Sequence, residues 1–235
     1  MKRVGTVTAA WRYPVKSMRG EALQDAPVTL QGIAGDRNYA FVQADDRSVF
    51  PWLTGRQVPT LLGYRPTVDA APPHNVVITT PAGRALAIDS AELREELEQR
   101  FGAPVFLLRD YRGSFDVAAI TLVSNATVRA IAERSGTPLD PERLRMTFYV
   151  DAEGGPFAED ALVGKVVRIG ATCRVAFTER DKRCMMTTLD PAGSGPAAPA
   201  VLRAIAELNE ATAGVYGSVL APGHVSVGDE VSVED

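Results

Sequence analysis

Cysteine and histidine are scarce in this chain. Its 235 residues include two histidines and only two cysteines, Cys173 and Cys184. A typical iron–sulfur cluster takes four cysteine-type ligands, so this composition argues against such a cluster. No secretory signal precedes the two cysteines, and a structural disulfide between them is therefore not expected. A reaction that needs electrons would have to obtain them from outside the chain.

Long apolar runs and excess positive charge are also missing. No stretch of about 18 apolar residues occurs, and the basic residues after Met1 precede no apolar segment of signal-peptide length. We therefore expect no membrane span and a cytoplasmic location. The formal net charge of −4 argues against broad nucleic-acid binding, because phosphate contacts need a cationic surface. It leaves room for a local basic pocket that binds a small anion.

The remaining composition is that of an ordinary globular protein. Apolar residues make up 46% of the chain and charged residues 23%, a balance found in folded domains. The length suits one large domain or two small ones. Residues 111–114 are the best candidate junction, so we predict domains at residues 1–112 and 113–235.

Short strands separated by turns dominate the predicted secondary structure. With few helices between them, they predict a mainly β (α+β) fold, built on a closed or nearly closed antiparallel β-barrel and not on a doubly wound sheet. The predicted strands cover residues 4–11, 39–42, 75–80, 84–88, 118–123, 146–150, 165–169 and 173–178, and residues 215–233 are typical of closing barrel strands.

About three helices complete the prediction. The first covers residues 90–101, with Asp89 in the N-cap position of a capping box. The second begins at Ser124 or Asn125, either of which is a good N-cap. The third covers residues 199–209 and carries an inward apolar stripe at helical spacing, formed by Leu202, Ile205 and Leu208.

The segment TERDKRCMMTTLDP, residues 178–191, is the most informative in the chain. It follows a predicted strand, so Cys184 is expected on a loop, surrounded by Arg180, Lys182 and Arg183. Nearby cations favour the thiolate, the form that binds a soft metal or attacks an electrophile. A buried, inert cysteine with incidental charged neighbours fits the local sequence equally well. Cys173 lies within an apolar strand and is predicted to be a core residue.

Candidate anion-binding residues lie far apart in the sequence. Lys16 and Ser17 follow the first strand and place a charge beside a hydroxyl, a pairing suited to a phosphate oxygen. Arg37 either binds the same anion or pairs with Asp36. Arg145 enters an apolar strand, where it either neutralises an anionic ligand or lies at the barrel rim. A solvated turn explains Lys16 and Ser17 taken alone, so each signal is weak by itself.

Together these elements resemble one family in order and spacing. The chain contains YPVKS, GDR, TGRQVPTL, an Arg-x-Arg strand entry, PFAEDALVGKVVRIG and RCMMTTLDP, in that order. From Val4 to about Val233 it is similar to the MOSC family, in the branch with an N-terminal MOSC β-barrel-like domain. That branch is typified by the mitochondrial amidoxime reducing component and its bacterial relatives.

The resemblance implies a molybdenum cofactor (Mo-molybdopterin) between the two halves, with Cys184 as metal ligand. The cofactor brings a phosphate and an electron-rich dithiolene, which a cationic pocket with a thiolate at one end would suit. The family's cofactor-binding positions correspond to Lys16, Ser17, Arg37, Asp116, Arg145, Thr147 and Lys182.

Three residues depart from the family pattern. Thr147 stands where an Asn is common, and a hydroxyl cannot supply both ends of an amide. Ala161 replaces a polar residue or Trp after PFAED, and Val117 replaces a small polar residue. These changes bear on the substrate pocket more than on the cofactor.

The resemblance implies a reductase of small N-oxygenated compounds such as hydroxylamines and amidoximes. No Gly-x-Gly-x-x-Gly follows a predicted strand, so no nicotinamide site is expected. Electrons would then come from a separate donor protein, which would be ferredoxin-like, a flavoprotein or a cytochrome. The alternative is a non-catalytic molybdenum-cofactor or sulfur carrier that uses Cys184 as a transient ligand or persulfide.

Overall fold

A closed barrel is the largest feature of the computed structural model, which describes residues 1–69 and 75–234. The sixteen strands are β1 (Lys2–Arg12), β2 (Glu21–Leu23), β3 (Asp25–Thr29), β4 (Gly32–Ile33), β5 (Tyr39–Gln43), β6 (Arg65–Val68), β7 (Val76–Thr79), β8 (Ala85–Ala87), β9 (Val105–Arg109), β10 (Ile120–Ser124), β11 (Phe148–Ala152), β12 (Lys165–Ile169), β13 (Cys173–Lys182), β14 (Thr212–Ala221), β15 (Gly223–Ser226) and β16 (Glu230–Val233) in the described residues. The α-helices in the same part of the chain are α1 (Ala91–Phe101), α2 (Asn125–Ser135) and α3 (Pro199–Asn209). Four short 3₁₀ segments accompany them, at Pro59–Gly63, Pro141–Arg143, Ala158–Leu162 and Met185–Thr188.

The barrel contains seven strands. One sheet runs in the order β11-β10-β14-β13-β12-β16-β1-β2, and β1 also pairs with β11, which closes the ring and leaves β2 outside it. Side chains from alternate strand positions fill the interior, among them Leu122, Phe148, Val167 and Phe177. The predicted mainly β barrel with three helices is confirmed.

One pair of barrel strands differs from the predicted antiparallel arrangement. β10 and β11 are parallel, with Leu122 opposite Phe148. The chain between them contains α2, and a parallel pair needs such a crossover because both strands must start from the same end of the sheet.

The first half of the chain contributes to two environments. β1 is a barrel strand, whereas β5–β9 and β6-β7-β8 form small sheets of their own. α1 packs its buried Leu93 and Leu97 into a separate core with Phe41 and Ile78. β3 pairs with β4 on one side and, on the other, with β15, which comes from the second half. Each half therefore supplies one strand that pairs with strands of the other half: β1 joins the barrel, and β15 joins β3.

The helix ends follow local capping chemistry. Ser90, not the predicted Asp89, is the N-cap of α1, because its side chain accepts a hydrogen bond from the N–H of Leu93. Ser124 caps α2 through the N–H of Thr127, as one of the two predicted alternatives.

The buried face of α3 was predicted only in part. Ile205 is buried as expected, but the other buried residues are Val201 and Ala204, and Leu208 is 39% exposed. These small side chains let α3 pack against α2, in a cluster that includes Ile131. In the described residues no helix has the length and apolar character needed to cross a membrane.

Candidate functional site

A pocket between the two halves of the chain collects most of the predicted site residues. Lys16, Ser17, Arg37, Asp116, Arg145, Lys182 and Cys184 all line it. They come from the turn after β1, the segment before β5, the segment before β10, the entry to β11 and the end of β13. The lining also includes Arg56, Arg183 and Asp181, so six cationic side chains face two carboxylates. The pocket is therefore cationic, although the chain as a whole has a net charge of −4.

Thr147 lies behind the pocket wall. Its side chain is fully buried, and its hydroxyl accepts a hydrogen bond from the backbone N–H of Thr121 at 3.1 Å. The Thr121 hydroxyl in turn accepts one from the N–H of Thr147 at 2.8 Å. Because Thr121 lines the pocket and Thr147 does not, Thr147 reaches this site through Thr121.

Three residues of the pocket have a left-handed backbone, which is uncommon for residues other than glycine. The φ angles are 62° at Ser17, 51° at Arg37 and 55° at Arg145. Such a conformation costs free energy and persists where the surrounding structure holds it. It identifies these three positions as places where side-chain direction is set by the fold.

Lys16 is a buried ammonium group with several partners. Its Nζ donates to the carbonyl oxygen of Ser114 and to Oδ1 of Asp116, both at 2.6 Å. It also lies 4.5 Å from the ring centroid of Trp52, a cation–π contact. Burial lowers the pKa of Lys16, and the Asp116 carboxylate opposes that change.

Tyr13 packs against two arginine side chains. The guanidinium carbon of Arg37 lies 4.8 Å from the ring centroid of Tyr13, and that of Arg145 lies 4.4 Å from it. Asp36 anchors the assembly: it forms an ion pair with Arg37 at 2.6 Å and accepts the backbone N–H of Tyr13 at 2.7 Å. Tyr13 belongs to the YPVKS motif, although no role was predicted for it from the motif.

Arg145 has an unused donor. Its Nη1 donates to the carbonyl oxygen of Met18 at 2.8 Å, whereas its Nη2 is buried without a hydrogen-bond partner in the described structure. Burial lowers the pKa of Arg145 to about 10, so the group remains charged at neutral pH. A buried charged donor left unpaired is costly, and an anion in the pocket would satisfy it.

Cys184 is half-buried and immediately precedes the 3₁₀ segment Met185–Thr188. Its Sγ lies 3.5 Å from Nη2 of Arg56. Arg56 occurs in the TGRQVPTL motif, but the cations predicted beside Cys184 were Arg180, Lys182 and Arg183. Lys182 and Arg183 do line the pocket.

The prediction is wrong for Arg180. β13 extends to Lys182, four residues beyond its predicted end, so Arg180 belongs to the strand and not to the loop. Its guanidinium forms an ion pair with Glu210 at 2.8 Å, and it does not line the pocket.

Two further lining residues were missed from sequence. Asp181 is 2% exposed, and it forms an ion pair with Arg183. Burial raises the pKa of Asp181, while Arg183 opposes the shift. Tyr216 of β14 lines the same wall, and burial raises its pKa as well. Tyr216 is 35 positions away from Asp181 in sequence, so only strand pairing reveals the group.

The core assignment of Cys173 is confirmed. It is fully buried in the barrel interior, and burial raises the pKa of its thiol to about 11. A thiol in that environment is inert, so Cys173 offers a matched comparison for Cys184.

The residues present suit an anionic cofactor that carries its own metal ligands. Across residues 1–69 and 75–234, no group of three or more His, Cys, Asp or Glu side chains is arranged to hold a metal ion. A metal at Cys184 would need its other ligands from the bound group, as a pterin dithiolene provides. The orphaned Nη2 of Arg145 and the excess of cations fit that group's phosphate.

Two family models together match almost the whole chain. A model described as the MOSC domain matches residues 109–232, and one described as the MOSC N-terminal beta barrel domain matches residues 4–109. The solved structure of the YUAD protein from Bacillus subtilis covers 99% of this chain and 97% of its own, with 15% identity and a TM-score of 0.54. That likeness shows a shared fold. YiiM from Geobacillus stearothermophilus is 18% identical over 50% of this chain and 55% of its own, with a TM-score of 0.40. No curated protein matches this chain.

Proposed function

This chain belongs to the MOSC family, and on that premise we propose that it is an enzyme that binds a molybdenum–pterin cofactor and reduces small N-oxygenated compounds. The strongest support is that the predicted metal-binding and anion-binding side chains line the same pocket. The thiol of Cys184 and the cationic residues Lys16, Arg37 and Arg145 come from distant parts of the chain and line one pocket. A thiolate at one end and an anion cradle at the other are what such a cofactor requires.

The cofactor's phosphate would be held by Lys16, Ser17, Arg37 and Arg145. Ser17 contributes a hydroxyl in the pocket lining, and Arg145 contributes its unpaired Nη2. Hydrogen bonds from ionised donors are the strong ones. The left-handed backbone at Ser17, Arg37 and Arg145 directs these groups before any ligand arrives.

Cys184 would hold the metal as a thiolate, close to the guanidinium of Arg56. When bound, such a cofactor supplies a metal that cycles between two oxidation states and so supports a two-electron reduction. Reduction of an N-hydroxylated compound consumes two electrons and two protons, and it releases water. Asp181, a buried carboxylate in the pocket wall, would keep Arg183 in place through their ion pair.

Electrons would come from a partner protein that is ferredoxin-like, a flavoprotein or a cytochrome. Two cysteines are too few for an iron–sulfur cluster. Among the described residues, no strand is followed by the Gly-x-Gly-x-x-Gly pattern of a nicotinamide site. A small dye can enter the pocket directly and replace the partner.

Donor-dependent turnover tests the proposal. Protein from a host that makes the cofactor is mixed with benzamidoxime or hydroxylamine, and substrate consumption is followed with reduced methyl viologen or with NADH. We expect turnover with the viologen only, and loss of turnover in Cys184→Ser but not in Cys173→Ala. Turnover with NADH alone would reveal an overlooked electron-entry site. Molybdenum-loaded protein that is inactive with both donors would favour the carrier alternative.

A further inference from the structure

Ion pairs divide the cations of the pocket into two groups. Lys16 pairs with Asp116, Arg37 with Asp36, and Arg183 with Asp181. The other three lining cations, Arg56, Arg145 and Lys182, have no carboxylate within 4.0 Å in the described structure. Arg145 has its unused donor buried in the pocket wall, where the proposed cofactor phosphate would satisfy it. Arg56 and Lys182 remain without such an assignment, and of these two Arg56 is the one whose guanidinium contacts the sulfur of Cys184.

Arg56 lies in the outer part of the pocket, close to the reactive end. Its side chain is exposed, and its Nη2 is 3.5 Å from Sγ of Cys184. An arginine carries five N–H donors, and the contact with the sulfur engages only one of its nitrogens. A planar anion can therefore bind to the rest of the guanidinium while remaining next to Cys184.

The segment that carries Arg56 is ordered by its own hydrogen bonds. The backbone N–H of Arg56 donates to Oγ1 of Thr54 at 3.2 Å. The Thr54 hydroxyl donates to the side-chain carbonyl of Gln57 at 2.7 Å. These bonds hold the backbone of the loop, so binding at Arg56 has to order its side chain but not the segment that carries it.

An aromatic surface lies beside this guanidinium. The Cζ of Arg56 is 5.3 Å from the ring centroid of Phe50, which also lines the pocket. Because Arg56 covers one side of the Phe50 ring, a ligand with a flat ring and a carboxylate would pack its ring against the part of Phe50 that is open to the pocket, while the carboxylate pairs with Arg56.

We propose that Arg56 is a specificity-determining residue that selects N-oxygenated aromatic compounds bearing a carboxylate. The kinetic test of this inference rests on the proposed reductase function. The binding test does not depend on that function. The role assigned to Arg56 is to hold the carboxylate so that the N-oxygenated group faces the Cys184 end of the pocket.

The kinetic test compares two substrates that differ by one charge. We expect kcat/KM for 4-carboxybenzamidoxime to exceed that for benzamidoxime by about ten-fold or more, the effect of one charge-assisted hydrogen bond. Arg56→Gln should bring the ratio close to one, and Arg56→Lys should keep part of it because a point charge remains. Arg47→Gln, in the same loop but outside the pocket lining, should keep the whole ratio. A ratio near one in the wild type, or one unchanged in Arg56→Gln, would overturn the proposal.

The binding test uses cofactor-free protein and the thiol of Cys184 as reporter. Benzoate bound at Arg56 would cover a sulfur atom only 3.5 Å from the guanidinium, so it should slow alkylation of Cys184 by iodoacetamide, measured by mass spectrometry. Neutral benzamide should not, and protection should be lost in Arg56→Gln. Protection that persists in this variant would contradict the assignment. If no substrate is turned over, the reductase function fails, while the alkylation result still decides the role of Arg56.

Discussion

Nη2 of Arg37 donates a hydrogen bond to the backbone carbonyl oxygen of Arg145 at 3.2 Å. The bond joins two cationic residues from opposite halves of the chain. Asp36 balances one of these charges but not both. An anion bound between them would relieve the remaining repulsion, since like charges in a partly buried site raise each other's free energy.

This relationship predicts that cofactor retention depends on the cradle. Arg37→Ala and Lys16→Ala should each lower the amount of pterin that remains on the purified protein, because each removes a charge-assisted contact worth about 1.5–3 kcal/mol. Pterin fluorescence after denaturation measures it. Arg47→Ala, an exposed arginine outside the pocket, is the matched control. Unchanged pterin in both cradle variants would place the phosphate elsewhere.

Metal content should distinguish the two cysteines. We expect purified wild-type protein from a cofactor-producing host to contain molybdenum approaching one atom per chain, and Cys184→Ser to lose most of it, because a hydroxyl is a poor ligand for a soft metal. Cys173→Ala, which changes a fully buried thiol in the barrel core, should keep the metal and lose only stability. Elemental analysis decides between these outcomes. Full metal content and full turnover in Cys184→Ser would refute the ligand assignment.

A buried carboxyl group predicts a pH dependence of folding stability. Glu159 is 1% exposed, and burial raises its pKa above the usual 4.5. The folded protein therefore binds this proton more tightly than the unfolded chain, so the free energy of unfolding falls as pH rises above about 4.5 toward the raised value. Glu159→Gln removes that loss and should stabilise the protein at about pH 8.

Urea unfolding at the two ends of the pH range checks this expectation. Below about pH 4 the wild-type carboxyl group is protonated in both states, so the variant should gain little there. Gln keeps an acceptor for the Thr127 hydroxyl, which donates to Glu159 at 2.9 Å. An equal effect of the substitution at low and high pH would show that burial of this charge is not the cause.

Two glycines allow backbone strain to be separated from steric overlap. Gly214 and Gly83 have similar φ angles, 85° and 81°. A Cβ at Gly214 would lie 2.8 Å from the carbonyl oxygen of Leu122, whereas one at Gly83 would meet nothing within 4 Å. Gly83→Ala should cost about 1–2 kcal/mol from the left-handed backbone alone, and Gly214→Ala should cost clearly more. Thermal unfolding measures the loss of stability in both variants. Equal losses would show that the close approach to the Leu122 carbonyl oxygen does not contribute.

The sequence predicted the barrel because strand patterns are local. Alternating and apolar runs such as those of β1, β10 and β12 can be recognised within a few residues. The start of α2 is equally local, because the side chain of Ser124 caps the helix. The parallel pairing of β10 with β11 was not visible, since it depends on where the crossover helix returns the chain.

The site was predicted unevenly for a related reason. Motifs identified Lys16, Arg37 and Cys184, which lie within recognisable segments. The contact between Arg56 and Cys184 joins residues 128 positions apart. Thr147 was predicted to line the pocket, but Thr121 lines it instead. The two residues are joined by a pair of hydrogen bonds that no local pattern predicts. Such relations arise from tertiary packing and leave no local pattern.

The position of β1 between β11 and β16 has a consequence for how the chain acquires its structure. Lys2 lies opposite Val233, so the ring closes between segments more than two hundred residues apart. Contacts between residues so far apart in the sequence slow folding. A fragment of residues 113–235 would lack strand β1. The edges of β11 and β16 would then be unpaired, and unpaired strand edges promote aggregation. We therefore expect the fragments 1–112 and 113–235 to remain insoluble when made separately and to recover a folded barrel only when produced together in one cell.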